Sequence, residues 1–200
     1  MAELRFDLAV IAHELNANSG RTVLDVGCGD GALMAVLRDQ SGIDARGIEI
    51  DPALVEKCVS RGLSVIQGDA NRDLADYPDH AFDYTVLGQT LQTSARPDKT
   101  LEELLRISRT AFISFPNFAH WRTRSALLFG GRMPITQALP VSWYETPNIH
   151  HVTTEDFRSL VKEKGAQIER EWFFSDGNEI GAPGANWRAE FALFQVSRKA

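Results

Sequence analysis

Residues 23–34, VLDVGCGDGALM, change from apolar to glycine-rich and back to apolar. An apolar run, a glycine loop and a second apolar run predict a buried strand, a tight turn and a helix. Gly27, Gly29 and Gly31 permit the backbone of that turn to approach a ligand closely. In open α/β sheets, ligands bind at the carboxyl ends of the strands, where the strand order reverses. This loop is therefore the first candidate for a functional site.

The rest of the chain alternates between predicted strands and helices. The strands are 21–26, 45–50, 63–69, 82–89 and 110–115, and the helices are 3–16, 30–40, 52–62, 99–109 and 153–165. This alternation predicts a mostly parallel sheet with helices on both faces. Two later runs, 166–176 and 189–199, predict an antiparallel β-hairpin at the C-terminus. The expected fold class is α/β, with seven strands in the sheet.

Composition restricts the class of protein. The 200 residues, 44% hydrophobic and 24% charged, predict one domain spanning 1–200, in which the segment 117–151 breaks the alternation as a cap-like insertion. A net charge of −6 argues against sequence-independent binding of nucleic acid. The sequence has no apolar run of about 18 residues, so no membrane span is expected. With only Cys28 and Cys58 as thiols and no signal-peptide core, the expected location is cytoplasmic.

Two carboxylates in the glycine loop distinguish between ligands. The spacing GCGDGA also fits the GxGxxA pattern of dinucleotide-binding proteins. Asp30, however, stands at the start of the following helix, where it would repel a pyrophosphate. Asp25 stands where a carboxylate can pair with a ligand ammonium group. These positions favour a ligand with a cationic amino-acid tail over a nicotinamide or flavin dinucleotide.

Two further acids follow the next strands. Glu49 ends the second predicted strand, where a carboxylate can accept hydrogen bonds from both ribose hydroxyls. Asp69 ends the third and can accept a hydrogen bond from an adenine amino group, although an aspartate there can equally cap nearby backbone N–H groups. S-adenosylmethionine contains an amino-acid tail, a ribose and an adenine. The alternative for the whole loop is a plain strand–turn–helix junction without a ligand.

Four motifs in order reproduce a family pattern. The stretches DVGCGDG, GIEID, QGDA and FDYTVLGQ, followed by a terminal hairpin, resemble the class I S-adenosylmethionine-dependent methyltransferases. The resemblance implies a Rossmann-like fold and S-adenosylmethionine or S-adenosylhomocysteine as cofactor. The cofactor-binding residues that it implies are Asp25, Gly27, Cys28, Gly29, Gly31, Glu49, Ile50, Asp69, Ala70 and Gln89.

Longer stretches resemble a particular family within this class. VLGQTLQTSARPDKTLEELLRI, FPNFAHWR, LLFGGRMPITQALP and WYETPNIHH are similar to the methionine-biosynthesis protein family MetW. The resemblance implies association with the homoserine O-acyltransferase MetX. It suggests an S-adenosylmethionine-binding protein that supports or regulates homoserine acylation. The alternative is a conventional methyltransferase that acts on a small molecule.

The sequence does not identify a catalytic base. Gln89 and Gln92, after the fourth strand, can orient ligands but cannot accept a proton near neutral pH. His120, His150 and His151 have suitable ordinary pKa values; His150 or His151 is a candidate base, and the alternative is an exposed or hydrogen-bonded loop histidine. The last two are consecutive, so on an extended segment they point in opposite directions and no metal site is expected. LGQTLQ also differs from the Asn/Asp-Pro-Pro-aromatic motif of enzymes that methylate exocyclic amines of nucleic acids.

Overall fold

A computed structural model describes residues 4–18 and 21–199. All of its strands belong to one eight-stranded sheet in the order β3-β2-β1-β4-β5-β8-β6-β7. The strands are β1 (Thr22–Val26), β2 (Asp44–Glu49), β3 (Ser64–Gln67), β4 (Phe82–Gly88), β5 (Ser108–Pro116), β6 (Ala166–Ser175), β7 (Asn178–Ile180) and β8 (Phe191–Arg198).

The helices occupy the connections between strands. They are α1 (Phe6–Ala17), α2 (Ala32–Ser41), α3 (Pro52–Ser60), α4 (Ala70–Asp73), α5 (Pro97–Ile107), α6 (Trp121–Ser125), α7 (Thr154–Glu163) and α8 (Ala185–Arg188). The expected first helix began at residue 3, which lies outside the described residues. No helix in the described part of the chain is both long and apolar enough to cross a membrane.

The predicted fold class is confirmed, with one addition. Strands β1 to β5 pair in parallel, and β8 pairs antiparallel with both β5 and β6. The sheet has eight strands rather than the expected seven, because Asn178–Ile180 folds back onto the end of β6. This strand was not predicted, because it has only three residues and no apolar run that would distinguish it from a turn.

Helices cover both faces of the sheet, as the alternation predicts. On one face, α1 and α2 pack against β1, β4, β5, β6 and β8, with Ile11 and Phe112 fully buried between them. On the other face, α5 and α7 pack against the same sheet, with Leu104 and Phe157 in the core. Burying both faces explains why the central strands are apolar without alternation.

The connection between β5 and α7, residues 117–153, is anchored at both ends. Asn117 is buried, and its amide donates hydrogen bonds to the carbonyls of Ala189 (2.8 Å) and Asn186 (3.1 Å). The carbonyl of Gln92 accepts hydrogen bonds from the N–H groups of Ile149 (2.9 Å) and His150 (3.0 Å). Between these anchors lie α6 and a π-helical turn at 126–130.

Candidate functional site

A cleft of about 450 Å³ lies at the carboxyl ends of β1, β2 and β4. The strand order reverses between β1 and β4, which is the ligand-binding position of open α/β sheets. The residues that line the cleft are Gly27, Ile48, Glu49, Ile50, Gly68, Asp69, Ala70, Asn71, Leu87, Thr90, Thr93, Ser94, Thr100 and Pro147. The cleft therefore includes five of the ten predicted residues.

The three loop glycines meet different surroundings. A Cβ atom at Gly27 would lie 2.7 Å from Oγ1 of Thr90, so a side chain there would collide with the loop after β4. At Gly31, which has φ +76°, a Cβ would overlap Leu63 in the core. At Gly29, with φ +59°, it would meet nothing within 4 Å. Gly31 is therefore required by packing, whereas Gly29 borders space that a ligand can occupy.

Glu49 connects the end of β2 to the glycine loop. Its Oε2 accepts a hydrogen bond from the N–H of Gly29 at 2.8 Å. Its Oε1 accepts hydrogen bonds from the N–H groups of Ile50 (2.8 Å) and Asp51 (3.0 Å). An ionised carboxylate has about four acceptor sites. The three backbone bonds therefore orient the carboxylate and leave capacity for a ligand hydroxyl.

Asp25 is a buried carboxylate, 4% exposed. Burial raises its pKa to about 7, against the opposing effect of the positive charge of Arg5, and Glu49 and Asp7 raise it further. None of the described residues donates a hydrogen bond that stabilises the ionised form. A buried charge without a partner is costly in the absence of a ligand. This side chain therefore has the properties of a binding group for a cation.

Asp69 and its neighbours line the cleft just after the end of β3. Oδ1 of Asp69 accepts hydrogen bonds from the backbone N–H (2.9 Å) and the side-chain amide (2.8 Å) of Asn71, so Asp69 caps α4. These bonds lower the pKa of Asp69. Ala70 follows it along the cleft wall. Asp69 therefore caps α4, which is the alternative that the sequence left open, and the same residue lines the cleft.

Ile50 and Cys28 differ in orientation although both were assigned to the site. Ile50 is 62% exposed at the cleft, which is unusual for a large apolar side chain and suits contact with a planar base. Cys28 points away from the cleft and packs with Met34 and Cys58 beneath the loop. Burial raises the pKa of the Cys28 thiol, so it is not an activated nucleophile.

Gln89 has an uncommon backbone conformation, and its backbone groups form hydrogen bonds with nearby residues. Its φ is +55°, which is uncommon for a residue with a side chain. Its N–H donates to the carbonyl and the hydroxyl of Ser114, both at 3.0 Å, and its carbonyl accepts from Nε2 of Gln92 at 2.6 Å. The backbone of Gln89 thereby fixes the loop after β4, and Gln89 is absent from the cleft lining.

The three candidate histidines, His120, His150 and His151, do not line the cleft. His120 is buried, and burial lowers its pKa. The ring of His151 stacks on Phe118 with centroids 4.3 Å apart. Nε2 of His150 is buried without a hydrogen-bond partner among the described residues. This nitrogen distinguishes His150 from the other two, although none of the three lines the cleft.

Several lining residues were not predicted from the sequence. Thr90 lies against Gly27 of the glycine loop, and the backbone N–H of Asn71 donates a hydrogen bond to Asp69. Pro147 reaches the cleft from the β5–α7 connection. Arg5, before α1, lowers the pKa of Asp25 by its positive charge, although it does not line the cleft. These residues reach their places through contacts between segments that are distant in the sequence. Only Thr90 could have been predicted locally, because it directly follows the fourth motif.

Solved structures place the architecture in a class. A SAM-dependent methyltransferase from Archaeoglobus fulgidus matches with a TM-score of 0.70 at 15% identity, covering 96% of this chain and 92% of that one. The [4+2]-cyclase SpnF matches with a TM-score of 0.69 at 17% identity, covering 98% of this chain and 82% of that one. The chain has the Rossmann-like fold of the class I S-adenosylmethionine-dependent methyltransferases.

A family model then gives the narrower assignment. The model described as "Methionine biosynthesis protein MetW" matches residues 5–196, and the chain belongs to this family. The "Bifunctional methionine biosynthesis protein MetXA/MetW" of Rhodopirellula baltica is 34% identical in an alignment of 193 residues that covers 90% of this chain. The chain spans only 31% of the length of that relative.

Proposed function

We propose that this chain binds S-adenosylmethionine in the cleft and thereby supports or regulates a homoserine O-acyltransferase of the MetX type. Glu49 would accept a hydrogen bond from a ribose hydroxyl at its remaining acceptor site, and Asp25 would pair with the ammonium group. Ile50 and Asp69 would contact the adenine, between the glycine loop and Ala70. The buried, unpartnered carboxylate of Asp25 is the observation that carries the binding proposal, because a ligand cation would compensate its charge.

The choice of partner rests on the fused relative. In the Rhodopirellula baltica protein, the name MetXA/MetW describes a MetX-type and a MetW-type part of one polypeptide. Parts that are joined in one chain in one organism are candidates for association as separate chains in another. The cytoplasm is the proposed location, in agreement with two free thiols, Cys28 and Cys58.

The β5–α7 connection is the proposed contact surface. Six of its large apolar or aromatic side chains are more than half exposed, and we call them the apolar face: Leu128, Phe129, Ile135, Trp143, Tyr144 and Ile149. Contiguous exposed apolar patches are typical of protein–protein contacts, and we propose that these six side chains form one. The expected cap at 117–151 thus has a second use, as a docking element for the acyltransferase.

The same connection can transmit the state of the cleft. Pro147 lines the cleft, and Ile149 and His150 are hydrogen-bonded to Gln92, which follows the cleft residue Thr90 by two positions. If ligand binding shifts the position of this connection, the ligand changes the affinity of the apolar face for its partner. The partner then changes the affinity for the ligand by the same factor. S-adenosylmethionine derives from methionine, so such coupling would report the level of the end product.

The acyl-transfer rate of the cognate MetX tests this proposal. The rate is measured for MetX alone, with the chain, and with the chain and S-adenosylmethionine. We expect the chain to raise the rate and the cofactor to lower it again. A Glu49→Ala chain is the control, which should raise the rate but lose the response to cofactor. An unchanged rate together with no co-elution of the two proteins would refute the partner assignment.

A small-molecule methyltransferase is the second candidate. The observation in its favour is the buried Nε2 of His150, which has no hydrogen-bond partner among the described residues and lies on the connection that reaches the cleft. A histidine in this position can accept a proton from an acceptor hydroxyl or amine. Formation of S-adenosylhomocysteine with a panel of small acceptors, and its loss in His150→Gln, would establish this activity in place of sensing.

A further inference from the structure

β3 is an edge strand without the usual protection against further pairing. It stands at one end of the sheet and pairs with β2 alone among the described strands. Natural edge strands are commonly interrupted by lysine, proline or a bulge, or are covered by another segment. Residues 64–67, SVIQ, contain neither a charge nor a proline, and their register with β2 is unbroken. Ile66 is 51% exposed, so this edge is also apolar.

The sheet face beside this edge is partly uncovered. The connection from β3 to β4 contains α4, which has four residues, and a short helical turn at Leu74–Asp76. Neither is long enough to cover β2 and β3, and a groove of about 770 Å³ remains over them, with Ile66 and Tyr77 in its lining. Parallel sheets are normally buried on both faces. An open edge beside an open apolar groove is therefore a surface on which another chain can pair.

The backbone of β3 determines the register of an added strand. The N–H of Gly68 donates to the carbonyl of Glu49 in β2 at 2.9 Å, so the backbone groups of Gly68 and Ile66 point toward β2. Because this direction alternates along a strand, the N–H and C=O groups of Val65 and Gln67 point to the free side. An antiparallel second copy of β3 can pair Val65 with its own Gln67, and the reverse, with two hydrogen bonds in each pair. This register places Ile66 opposite Ile66 on a two-fold axis.

The charges beside the edge are complementary in that register. Ser64 is opposite Arg46 in the β2–β3 pairing, and on its other side it would face Gly68 of the second copy. Oδ2 of Asp73 lies 2.7 Å from the position that a Cβ of Gly68 would have. Arg46, whose side chain is 59% exposed, thus has Asp73 of the second copy on the same sheet face, about 10 Å away across two strand spacings. The two-fold axis forms this ion pair twice.

We propose that two copies of this chain associate by antiparallel pairing of β3, which joins their sheets into one continuous sheet. Such an interface is isologous, because the same strand faces itself across the two-fold axis. Stable interfaces bury about 1,200 Å² or more, which exceeds what four strand residues supply. The rest comes from the border of the groove and from α3, which packs on β3 and has Val59 59% exposed. This surface is separate from the apolar face and does not depend on the proposed function.

Cysteine cross-linking tests both the pairing and its register. Opposite residues that are not hydrogen-bonded to each other have Cα atoms about 4.5 Å apart, which suits a disulfide. Ile66→Cys should therefore form a disulfide-linked dimer under a mild oxidant such as diamide. Ser64→Cys is the matched control, because Ser64 would face Gly68 and lie far from Ser64 of the second copy. The wild-type chain, whose Cys28 and Cys58 are buried, should not cross-link.

Sedimentation equilibrium measures association without an added cysteine. The wild-type chain should have twice the mass of one chain at high concentration and dissociate on dilution. Ile66→Lys places a charge at an exposed edge position, so it should be monomeric with a nearly unchanged melting temperature. Phe129→Ser, on the apolar face, should remain dimeric. A wild-type chain that is monomeric at every concentration, a dimer that persists in Ile66→Lys, or cross-linking at residue 66 no greater than at residue 64 would refute the proposal.

Discussion

Burial of the Asp25 carboxylate destabilises the folded protein, and a bound cation would offset this loss of stability. Its pKa of about 7 in the folded protein, against an ordinary value of 3.8, means that the folded state binds more protons than the unfolded state between these values. The free energy of unfolding therefore falls as the pH rises from about 4 to 7. We predict that Asp25→Asn increases the free energy of unfolding at pH 8 by about 2–4 kcal/mol, less at pH 5, and weakens S-adenosylmethionine binding. Urea denaturation at both pH values measures the first effect; a less stable variant at pH 8 would contradict it.

The same residue predicts how cofactor affinity depends on pH. A ligand ammonium group favours the ionised form of Asp25, so binding releases a proton wherever Asp25 is protonated in the free protein. We expect the affinity for S-adenosylmethionine to be about fivefold higher at pH 7 than at pH 6, a range in which the ligand ammonium keeps its proton. Calorimetric titration at the two pH values measures the ratio. In Asp25→Asn the dependence should disappear, and a wild-type affinity that falls between pH 6 and pH 7 would contradict the assignment.

Gly29 and Gly31 make a matched pair, because both have positive φ but only one borders the core. Alanine at either position costs about 1 kcal/mol in backbone strain. Gly31→Ala adds a collision with Leu63, so it should lower the melting temperature much more than Gly29→Ala. Gly29→Ala should instead lower cofactor affinity with a modest change in melting temperature. Thermal melts and titrations of both variants measure this contrast, and equal loss of stability would contradict it.

At the level of residues, the sequence predicted the groups that are contiguous in motifs. Glu49 lies at the end of β2 and is bonded to Gly29, as the motif order suggested. Pro147, which lines the cleft, and Arg5, whose charge acts on Asp25, were not predicted, because both belong to segments outside the motifs. Cys28 was predicted from its place in the loop; its side chain packs in the core beneath that loop, so its assignment to the site stays a prediction about its backbone.

Among the elements, the start of the β5–α7 connection depends on Asn117. Its side-chain NH2 group donates two hydrogen bonds, and its side-chain oxygen Oδ1 accepts hydrogen bonds from the N–H groups of Ala119 (3.2 Å) and Thr154 (3.4 Å). Asn117→Ala would leave several buried polar groups without partners. We predict a loss of about 2–4 kcal/mol in the free energy of unfolding, measured by urea denaturation. A loss below about 0.5 kcal/mol would show that water replaces these bonds.

The regular elements were predicted more accurately than the connection. Buried strands and amphipathic helices carry periodic apolar patterns, and the five parallel strands were found from them. Residues 117–153 have no such pattern, because their structure depends on single anchors such as Asn117 and Gln92. The π-helical turn at 126–130 likewise has no sequence signature that separates it from the end of an α-helix.

For the whole molecule, the apolar face predicts how the chain associates. Phe129 is 85% exposed, and Trp187, outside the connection, is 50% exposed. We predict that Phe129→Ser weakens binding to MetX by about 1–2 kcal/mol, because it removes an aromatic contact. Trp187→Ser, the control, should have little effect on binding. Analytical gel filtration or calorimetry with purified MetX measures both, and a larger effect at Trp187 would place the contact elsewhere.

The interior position of β8 affects how the protein emerges from the ribosome. β6 pairs with β8 and β7 and has no direct pairing with β5. The nascent parallel strands can therefore assemble first, while β6, with Trp172, Phe173 and Phe174, cannot join them until residues 191–198 have left the exit tunnel. Synthesis that stalls between these two strands would leave an aromatic edge strand uncovered, and such edges are prone to aggregate.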